Sequence, residues 1–485
     1  AIAARLAALG MLQDYASGSQ KKIKFGLFTG SYEKNKSGGV LRKNPDFLDS
    51  TTSALPSNFN AAVDEIDGGS GIFNTAVTGI IRSFESLRLF GYQWNPGNYV
   101  GDGCGLLQPD PPEGTCTSWG NPLSETYVET LRYLAGMTPT AAFTYVEGSG
   151  QKDFQLGLRQ PAWVNQITSA NYCTPLNVIV MSASVSSYDN DQVPSDLFPA
   201  GTTAITLTNT IGGSTYENIV GTFLIGNNGS TNNGVCSPKA VGGAGTSFGN
   251  LYGICPEAPA LRGSYQMAGA AWWARTNRIR SDITGIPASD TKSLKVGTYG
   301  VALASAVPTI QIPVPGTSPV TYVTIQPTAR TYNGATDRGH GSIVDFKVIR
   351  QDLTAGTGKF FVSWEDSTQG NDYDLDMWGT ISYSFPASGQ IQVTTDVIYA
   401  AAGHSIAFGY VISGTTTGEG AHFTSAHKGN RIISYHYPTG FNTSLTGNNE
   451  CNDCSAANPA ASKTYTVAAG GAASVLKDPL WYASK

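Results

Sequence analysis

One apolar run constrains the fold of this chain more than any other stretch. Residues 178–181 are apolar without interruption, and three of them are β-branched. A run without alternation predicts a strand buried on both faces, as is usual in a parallel sheet. Ligand sites in open α/β sheets lie just past the carboxyl ends of such strands. Asp189 and Asp191 follow in the loop and are therefore candidate metal ligands. The alternative is a surface loop with solvated carboxylates.

Predicted helices and strands alternate over residues 1–305, which favours a layered α/β fold. The best-marked helix is expected between Asn121, which can cap its first turn, and Gly136, which suits its end. The stretch of about 196–260 is rich in Gly, Asn, Ser and Thr. It is expected to be an insertion that contains a short strand at 204–207.

Beyond residue 305 the pattern changes to short β-like runs separated by turn residues. This predicts an antiparallel, sandwich-like β-domain over 306–440. The predicted strands are 321–325, 343–349, 359–364, 379–385, 390–399, 405–412 and 431–435. Residues 441–485 are expected to be a linker. The apolar residues around Trp481 would have nothing to pack on there, which indicates that a further part is missing at this end.

The composition of the 485-residue chain excludes some classes of partner. Charged residues make up 13% of the chain and 57 residues are glycine, a combination common in secreted and cell-surface proteins. The net charge of −5 leaves no basic footprint for nucleic acid. No apolar run reaches the roughly 18 residues that a membrane span needs. No leader opens the sequence, which indicates a removed leader or a fragment.

Seven cysteines divide into close pairs and one odd residue. The disulfide candidates are Cys104 and Cys116, Cys236 and Cys255, and Cys451 and Cys454. Such disulfides indicate an oxidising compartment, although spacing alone does not fix the connectivity. The last pair lacks the strand and helix of a redox motif and the further ligands of a zinc site, so a tight disulfide is favoured. Cys173 is left over, as a buried thiol or a cysteine that has lost its partner.

A second acidic cluster follows the predicted strand at 359–364. Its carboxylates are Glu365, Asp366, Asp372, Asp374 and Asp376. Alternate aspartates lie on one side of an extended chain, where they repel one another unless a hard cation binds them. Ca²⁺ is therefore a candidate cofactor. The alternative is an edge strand whose charges block aggregation.

Signatures of catalysis are missing from the sequence. There is no Gly-x-Ser-x-Gly elbow, phosphate loop or His-Glu-x-x-His zinc motif. The five histidines are scattered, and His422 and His427 would lie on opposite faces of a strand. We therefore expect a non-enzymatic protein.

A series of short blocks follows in a characteristic order along nearly the whole chain. They are Phe25-Gly26-Leu27-Phe28, Ser37-Gly38-Gly39-Val40-Leu41-Arg42, Trp119-Gly120-Asn121-Pro122, Ser187-Tyr188-Asp189 with Asp191-Gln192, Cys255-Pro256-Glu257, Gly263-Ser264-Tyr265, Trp364-Glu365-Asp366, Asp372-Tyr373-Asp374 and Leu480-Trp481-Tyr482-Ala483. Together they resemble the PilC/PilY proteins associated with the tips of type IV pili. So many blocks in order are more specific than any single motif in the chain.

The resemblance implies an exported protein at the cell surface and pilus tip, present in the periplasm during assembly. It would act with minor pilins in pilus assembly, in adhesion to host or abiotic surfaces and in twitching motility. It also implies a von Willebrand A-like α/β domain with loop insertions for residues 1–305. A C-terminal β-propeller that can carry calcium would follow the linker, and this chain ends where that propeller should begin.

The metal-dependent adhesion site of von Willebrand A domains is only partly matched. That site needs Asp-x-Ser-x-Ser after the first strand, with a Thr and an Asp from later loops. Residues 49–53, Asp-Ser-Thr-Thr-Ser, are the nearest match, but no buried strand precedes them. Ser182 stands where the later aspartate is expected. Both departures weigh against this site.

A rival function stays open beside the pilus-tip role. The β region could form a secreted carbohydrate- or matrix-binding module in which Trp364 and Trp378 stack on sugars. The ordinary role of such side chains is packing in a core or an interface.

Overall fold

A computed structural model of the chain describes residues 15–17, 21–50, 60–67, 70–93, 98–99, 102, 111–183, 186–213, 216–226, 236–255, 262–303, 308–332, 342–365, 376–400, 405–416, 418–428, 460–469 and 474–485. These residues form a mixed α/β region up to residue 303, an all-β region from 308 to 469, and a last segment that returns to the α/β region. No helix among them is long and apolar enough to cross a bilayer.

Strands and helices alternate in the α/β region, as the sequence predicts. The strands are β1 (Phe25–Thr29), β2 (Val40–Asp46), β3 (Tyr92–Gln93), β4 (Asn98–Tyr99), β5 (Leu176–Ser182), β6 (Gly221–Ile225), β7 (Ser237–Val241) and β8 (Val296–Ala302). The helices are α1 (Ile80–Ser86), α2 (Leu123–Leu134), α3 (Lys152–Gln155), α4 (Ala204–Gly213) and α5 (Gln266–Thr276), with 3-10 turns at Ala141–Phe143 and Phe248–Asn250.

Helix α2 lies at the centre of this region because one of its faces is a continuous apolar stripe. Leu123, Tyr127 and Leu131 recur every four residues and are buried against β5, β8 and α5. The helix ends as predicted at Gly136, which has φ +74° and whose amide bonds to the carbonyl of Tyr133. The position of this helix brings three distant loops to its first turn.

Two local predictions are wrong, and in each case an observed side-chain hydrogen bond explains the difference. Asn121 makes no capping bond to α2, since its side-chain amide donates to Ser182 Oγ at 2.9 Å. Residues 204–207 form the start of α4 rather than a strand. Thr203 and Thr206 bond reciprocally, each side-chain oxygen accepting from the other residue's amide, and so fix the helix start.

The parallel pair β5–β8 is buried on one face only. Ile179 lies opposite Tyr299 in the register, and their side chains are 60% and 58% exposed. The other face packs on α2, α5 and a C-terminal helix, α6 (Pro479–Ser484). The predicted burial on both faces is therefore wrong, because helices among the described residues cover a single face.

The all-β region consists of two antiparallel sheets with a shared core. Its strands are β9 (Ile310–Pro313), β10 (Tyr322–Tyr332), β11 (Ser342–Asp352), β12 (Thr357–Glu365), β13 (Met377–Ala387), β14 (Gln390–Ala400), β15 (Ser405–Ser413), β16 (Gly420–Lys428) and β17 (Ala460–Thr466). One sheet has the order β16-β15-β10-β9 and the other β11-β12-β13-β14-β17. Trp364 of one sheet packs edge-on against Phe408 of the other, with ring centroids 4.5 Å apart.

Most strands predicted in this region coincide with β10 to β15, whereas the predicted strand at 431–435 lies outside the described residues. The linker predicted at 441–485 is contradicted in two places. β17 pairs with β14, because its residues complete the core around Tyr465. Further on, β18 (Ser474–Val475) pairs in parallel with β6, and Leu480 and Tyr482 of α6 are buried in the α/β region.

Candidate functional site

Four segments that are distant in sequence meet at the first turn of α2. They are the loop between β1 and β2, the turn itself, the loop after β5 and the residues before α5. We call this meeting point the α2 junction and define it by Gly38, Ser124, Glu125, Asp189 and Ser264, all of which are buried. Three of the sequence blocks that resemble the pilus-tip family therefore converge at one place.

Asp189 ties α2 to the start of α5. Its Oδ2 accepts hydrogen bonds from Ser124 N at 3.2 Å and Ser124 Oγ at 2.8 Å, and its Oδ1 accepts one from Ser264 N at 2.7 Å. The first amides of a helix have no partner inside the helix, and a negative charge there complements the helix dipole. Asp189 therefore acts as the cap of α2 from a position 65 residues away.

Glu125 ties the two loops together on the other side of the same turn. Its Oε2 accepts from Gly38 N at 2.7 Å and its Oε1 accepts from Gln192 N at 3.0 Å. Gly38 has φ +48°, and a Cβ at this position would lie 2.0 Å from the ring of Phe143. The close approach of this loop to Glu125 therefore requires glycine.

Burial dominates the electrostatics of both carboxyl groups. It raises the pKa of Glu125 to about 8, with partly opposing bonds from Gly38 and Gln192 and a further increase from the charges of Asp191 and Asp189. Burial also raises the pKa of Asp189 to about 6, against the lowering effect of its bonds from Ser124 and Ser264. The junction therefore holds two carboxyl groups that titrate near neutral pH.

Stability should consequently depend on pH through Glu125. Because its folded-state pKa is raised, its stabilising contribution is present below the ordinary value of 4.5 and is lost as pH rises through about 8. Between about pH 7, where Asp189 is mostly ionised, and pH 8, the free energy of unfolding should fall by at most about 1.4 kcal/mol per pH unit. Urea titrations at several pH values measure this slope.

A matched pair of variants tests whether Glu125 causes the fall of the free energy of unfolding with pH. Glu125→Gln keeps the shape of the side chain and should remove most of the fall in stability between about pH 7 and 8. Glu85→Gln, at an exposed position on α1, should leave it unchanged. A slope that survives in Glu125→Gln would contradict the raised pKa of this group.

The contacts of the junction hold loops together. Its carboxylates accept bonds from main-chain amides and serine, and Asp189 has both oxygens engaged. Asp191 lies two residues on and is exposed. Among the described residues, no group of three or more His, Cys, Asp or Glu side chains could hold a metal ion. A metal at Asp189 and Asp191 stays a prediction from the sequence.

The second acidic cluster is described only at its base. Glu365 ends β12, and Asp376 directly precedes β13; both are buried. Their neighbours Trp364 and Met377 are paired in the sheet, so the two carboxylates lie at the same end of adjacent strands. The remaining predicted ligands, Asp366, Asp372 and Asp374, lie outside the described residues.

The cysteines support the predicted disulfide pattern where they are described. Cys236 and Cys255 form a disulfide with Cα atoms 5.7 Å apart, and the carbonyl of Cys236 accepts a bond from Ala421 N of β16. Cys116 is also disulfide-bonded. Cys173 is an exposed free thiol, so its prediction as a buried thiol is wrong. The other candidates, Cys104, Cys451 and Cys454, lie outside the described residues.

The structure also describes three further residues that the sequence analysis singled out. Trp364 is fully buried in the sandwich core and has no face for a sugar, which contradicts its proposed stacking role. Trp378 is half-buried against Phe361. Asp49, which begins the nearest match to the adhesion motif, is buried and paired with Lys21 Nζ at 2.8 Å.

Sequence reasoning found Asp189 but missed Glu125 and Ser264. An acidic residue in the first turn of a helix is ordinarily explained by the helix dipole alone. Its contact with Gly38 spans 87 residues and is invisible in a local pattern. The one available signal was the position of Gly38, Asp189 and Ser264 within the ordered blocks.

Comparison with known proteins supports the family resemblance that the sequence blocks indicate. A family model described as PilY1 homolog, second domain, matches residues 25–274, and one described as PilY1 homolog, beta-sandwich, matches residues 316–464. The chain is 29% identical over 539 aligned positions to a type IV pilus biogenesis factor PilY1 homolog of Xylella fastidiosa (strain Temecula1). The alignment covers 98% of this chain and 34% of that relative, so the chain spans about a third of its length. No solved structure matches.

Proposed function

This chain belongs to the family of PilY1 homologs, and we propose that it is a non-enzymatic component of the type IV pilus tip. There it acts with minor pilins in pilus assembly, surface adhesion and twitching motility. The observation that carries this proposal is the match of 98% of the chain to a relative named as a type IV pilus biogenesis factor. The Cys236–Cys255 disulfide supports export, because such bonds persist in oxidising compartments.

The mechanical part of the proposal rests on buried cross-links between distant segments. The α2 junction joins four segments, and the disulfide joins β7 to the segment before α5. The hydrogen bonds resist separation of the loops because breaking one leaves buried polar groups without partners, and the disulfide resists it because it is covalent. We propose that the α/β region is von Willebrand A-like, supported by a parallel strand pair packed on helices.

Pili sheared from cells that produce the full-length protein test the tip role. The protein should co-purify with minor pilins, and its deletion should reduce both surface piliation and spreading on agar. A deletion strain complemented with the intact gene is the control. Sheared pili that contain minor pilins but not this protein would argue against the proposal.

We also propose that the acidic segment from Glu365 to Asp376 binds Ca²⁺. Two buried carboxylates at the base of an acidic segment fit the oxygen ligands that Ca²⁺ prefers. A chelator should lower the melting temperature of the Ca²⁺-loaded chain, at about 2–4 °C per kcal/mol of lost binding. The double variant Glu365→Gln, Asp376→Asn should show little shift, and exposed Asp345→Asn should behave as the parent. Equal melting temperatures with Ca²⁺ and with chelator would refute this site.

A further inference from the structure

Strand β11 lies at one edge of the five-stranded sheet in the all-β region. It pairs with β12 on one side, and no described strand pairs with it on the other. Every second residue of such a strand directs its main-chain N–H and C=O groups away from the sheet. A long edge strand with exposed apolar residues is a template for pairing with another chain. The free edge of β11 is therefore a candidate interaction surface.

Several apolar side chains of β11 are left exposed by the sandwich core. Val344, Val348 and Ile349 are 49%, 57% and 53% exposed, respectively. Two charged residues stand among them, since Asp345 and Lys347 form an exposed ion pair at 2.7 Å. Charges on an edge strand ordinarily prevent its pairing with another chain. Whether they do so here depends on the residues that they would face across the edge.

The sequence of β11 is complementary to itself. Residues 343–349 read Ile-Val-Asp-Phe-Lys-Val-Ile, so the apolar residues are placed symmetrically about Phe346 and the two charges have opposite signs. In an antiparallel pair of two such strands centred on Phe346, Asp345 of each copy faces Lys347 of the other. At every other position of this stretch, an apolar residue faces its own residue type. A second copy of the chain is therefore the partner that matches this edge.

The two charges favour this register and disfavour its neighbours. If one copy is shifted by one residue, Asp345 faces Phe346 or Val348, and a carboxylate lies opposite an apolar side chain. A shift by two residues places either Lys347 or Asp345 opposite its own copy, and like charges directly opposite each other are destabilising. The register with β12 is regular from Asp345 to Val348 and shifts on either side. These two irregularities confine regular pairing to the centre of the strand.

We propose that two copies of the chain associate by antiparallel pairing of β11 with β11, about a two-fold axis at Phe346. The pairing joins the two five-stranded sheets edge to edge and gives main-chain groups of both edges their partners. Asp345 and Lys347 of the two copies form a group of four charges that alternate in sign. Pairing over a few residues buries less than the about 1,000 Å² of a stable interface, so the dimer is reversible. Self-association of this kind goes beyond the pilus-tip role.

Charge reversal at Asp345 and Lys347 tests both the dimer and its register. In sedimentation velocity, the 485-residue chain should form dimers at concentrations between about 1 and 100 μM. Asp345→Lys and Lys347→Asp, made separately, should each weaken the dimer at least about tenfold, because each places like charges opposite each other. An equimolar mixture of the two variants should form a heterodimer, since the lysines of one chain then face the aspartates of the other. The exchanged variant Asp345→Lys, Lys347→Asp should associate as the parent does.

A matched variant separates pairing from a general effect of charge. Glu85→Lys makes the same change of charge on α1 as Asp345→Lys makes on β11, and it should dimerise as the parent does. The side chains of Glu85 and Asp345 are 50% and 42% exposed, so neither change should shift the melting temperature by more than about 2 °C. The proposal would be overturned by a parent that stays monomeric up to about 100 μM, by an unchanged dimer in either single variant, or by variants that do not associate on mixing.

Discussion

Replacing Asp189 with alanine should lower the free energy of unfolding by about 3–5 kcal/mol. The change removes the acceptor of three buried donors, Ser124 N, Ser124 Oγ and Ser264 N. The two amides are left without a partner, whereas the hydroxyl has a second oxygen, Ser264 Oγ, at 3.3 Å. A single buried donor without a partner costs about 1–3 kcal/mol. It also uncaps α2, the helix on which β5, β8 and α5 pack. Urea unfolding followed by circular dichroism measures the loss.

Asp191→Ala is the matched control. Asp191 is also an aspartate and lies only two residues after Asp189, but it is exposed. It should change stability by no more than about 0.5 kcal/mol. Asp189→Asn tests the role of the acceptor itself, since it keeps the shape but replaces one acceptor oxygen with a donor. If Asp189→Ala were as stable as Asp191→Ala, the junction would not hold these segments together.

Asp153→Ala should destabilise the chain by a similar amount, about 3–5 kcal/mol, for a different reason. Asp153 and Arg42 form an ion pair at 2.7 Å whose side chains are both fully buried. Arg42 also donates to Thr29 Oγ1 and Gly30 O, so it cannot turn toward water without breaking the end of β1. Removing Asp153 therefore leaves a buried cation without its counter-charge.

The double variant Arg42→Met, Asp153→Leu distinguishes an ion pair from simple packing. Removing both charges together should cost less than Asp153→Ala alone, because no uncompensated charge is left. Glu85→Ala breaks the exposed pair with Arg82 and should change stability by no more than about 1 kcal/mol. A double variant less stable than Asp153→Ala would show that shape, not charge, dominates at this site.

Much of the fold follows from local patterns. The stop of α2 at Gly136 and most of the sandwich strands were predicted, because turn residues and periodicity act over a few positions. The exposure of one face of β5 was not predicted. An apolar run shows that the side chains can be buried, but it does not show how many faces of the sheet are covered by helices. The start of α4 was also missed, because Ile205 and Thr206 are β-branched and suggest a strand, whereas the reciprocal bonds between Thr203 and Thr206 fix a helix start.

Only part of the candidate site could be predicted from the sequence. Asp189 follows a recognisable strand, and that position drew attention to it. The donors that define its role, Ser124 and Ser264, lie 65 and 75 residues away. The cap of α2 was expected from Asn121 but comes from Asp189. The N-cap rule considers only residues next to the start of the helix, so it identifies the wrong side chain here.

The return of the chain to the α/β region after the sandwich sets an order of events during synthesis. The sandwich leaves after β8, and α6 packs back onto β8 and α5. Leu480 and Tyr482 therefore reach the α/β core about 180 residues after β8 has been made, a delay on the order of ten seconds or more at ordinary translation rates. Until then the core is open on that side, and a nascent chain exposes apolar surface that is prone to aggregation. Once α6 has docked, the chain connects the sandwich to the α/β region at two points, one after β8 and one before β18.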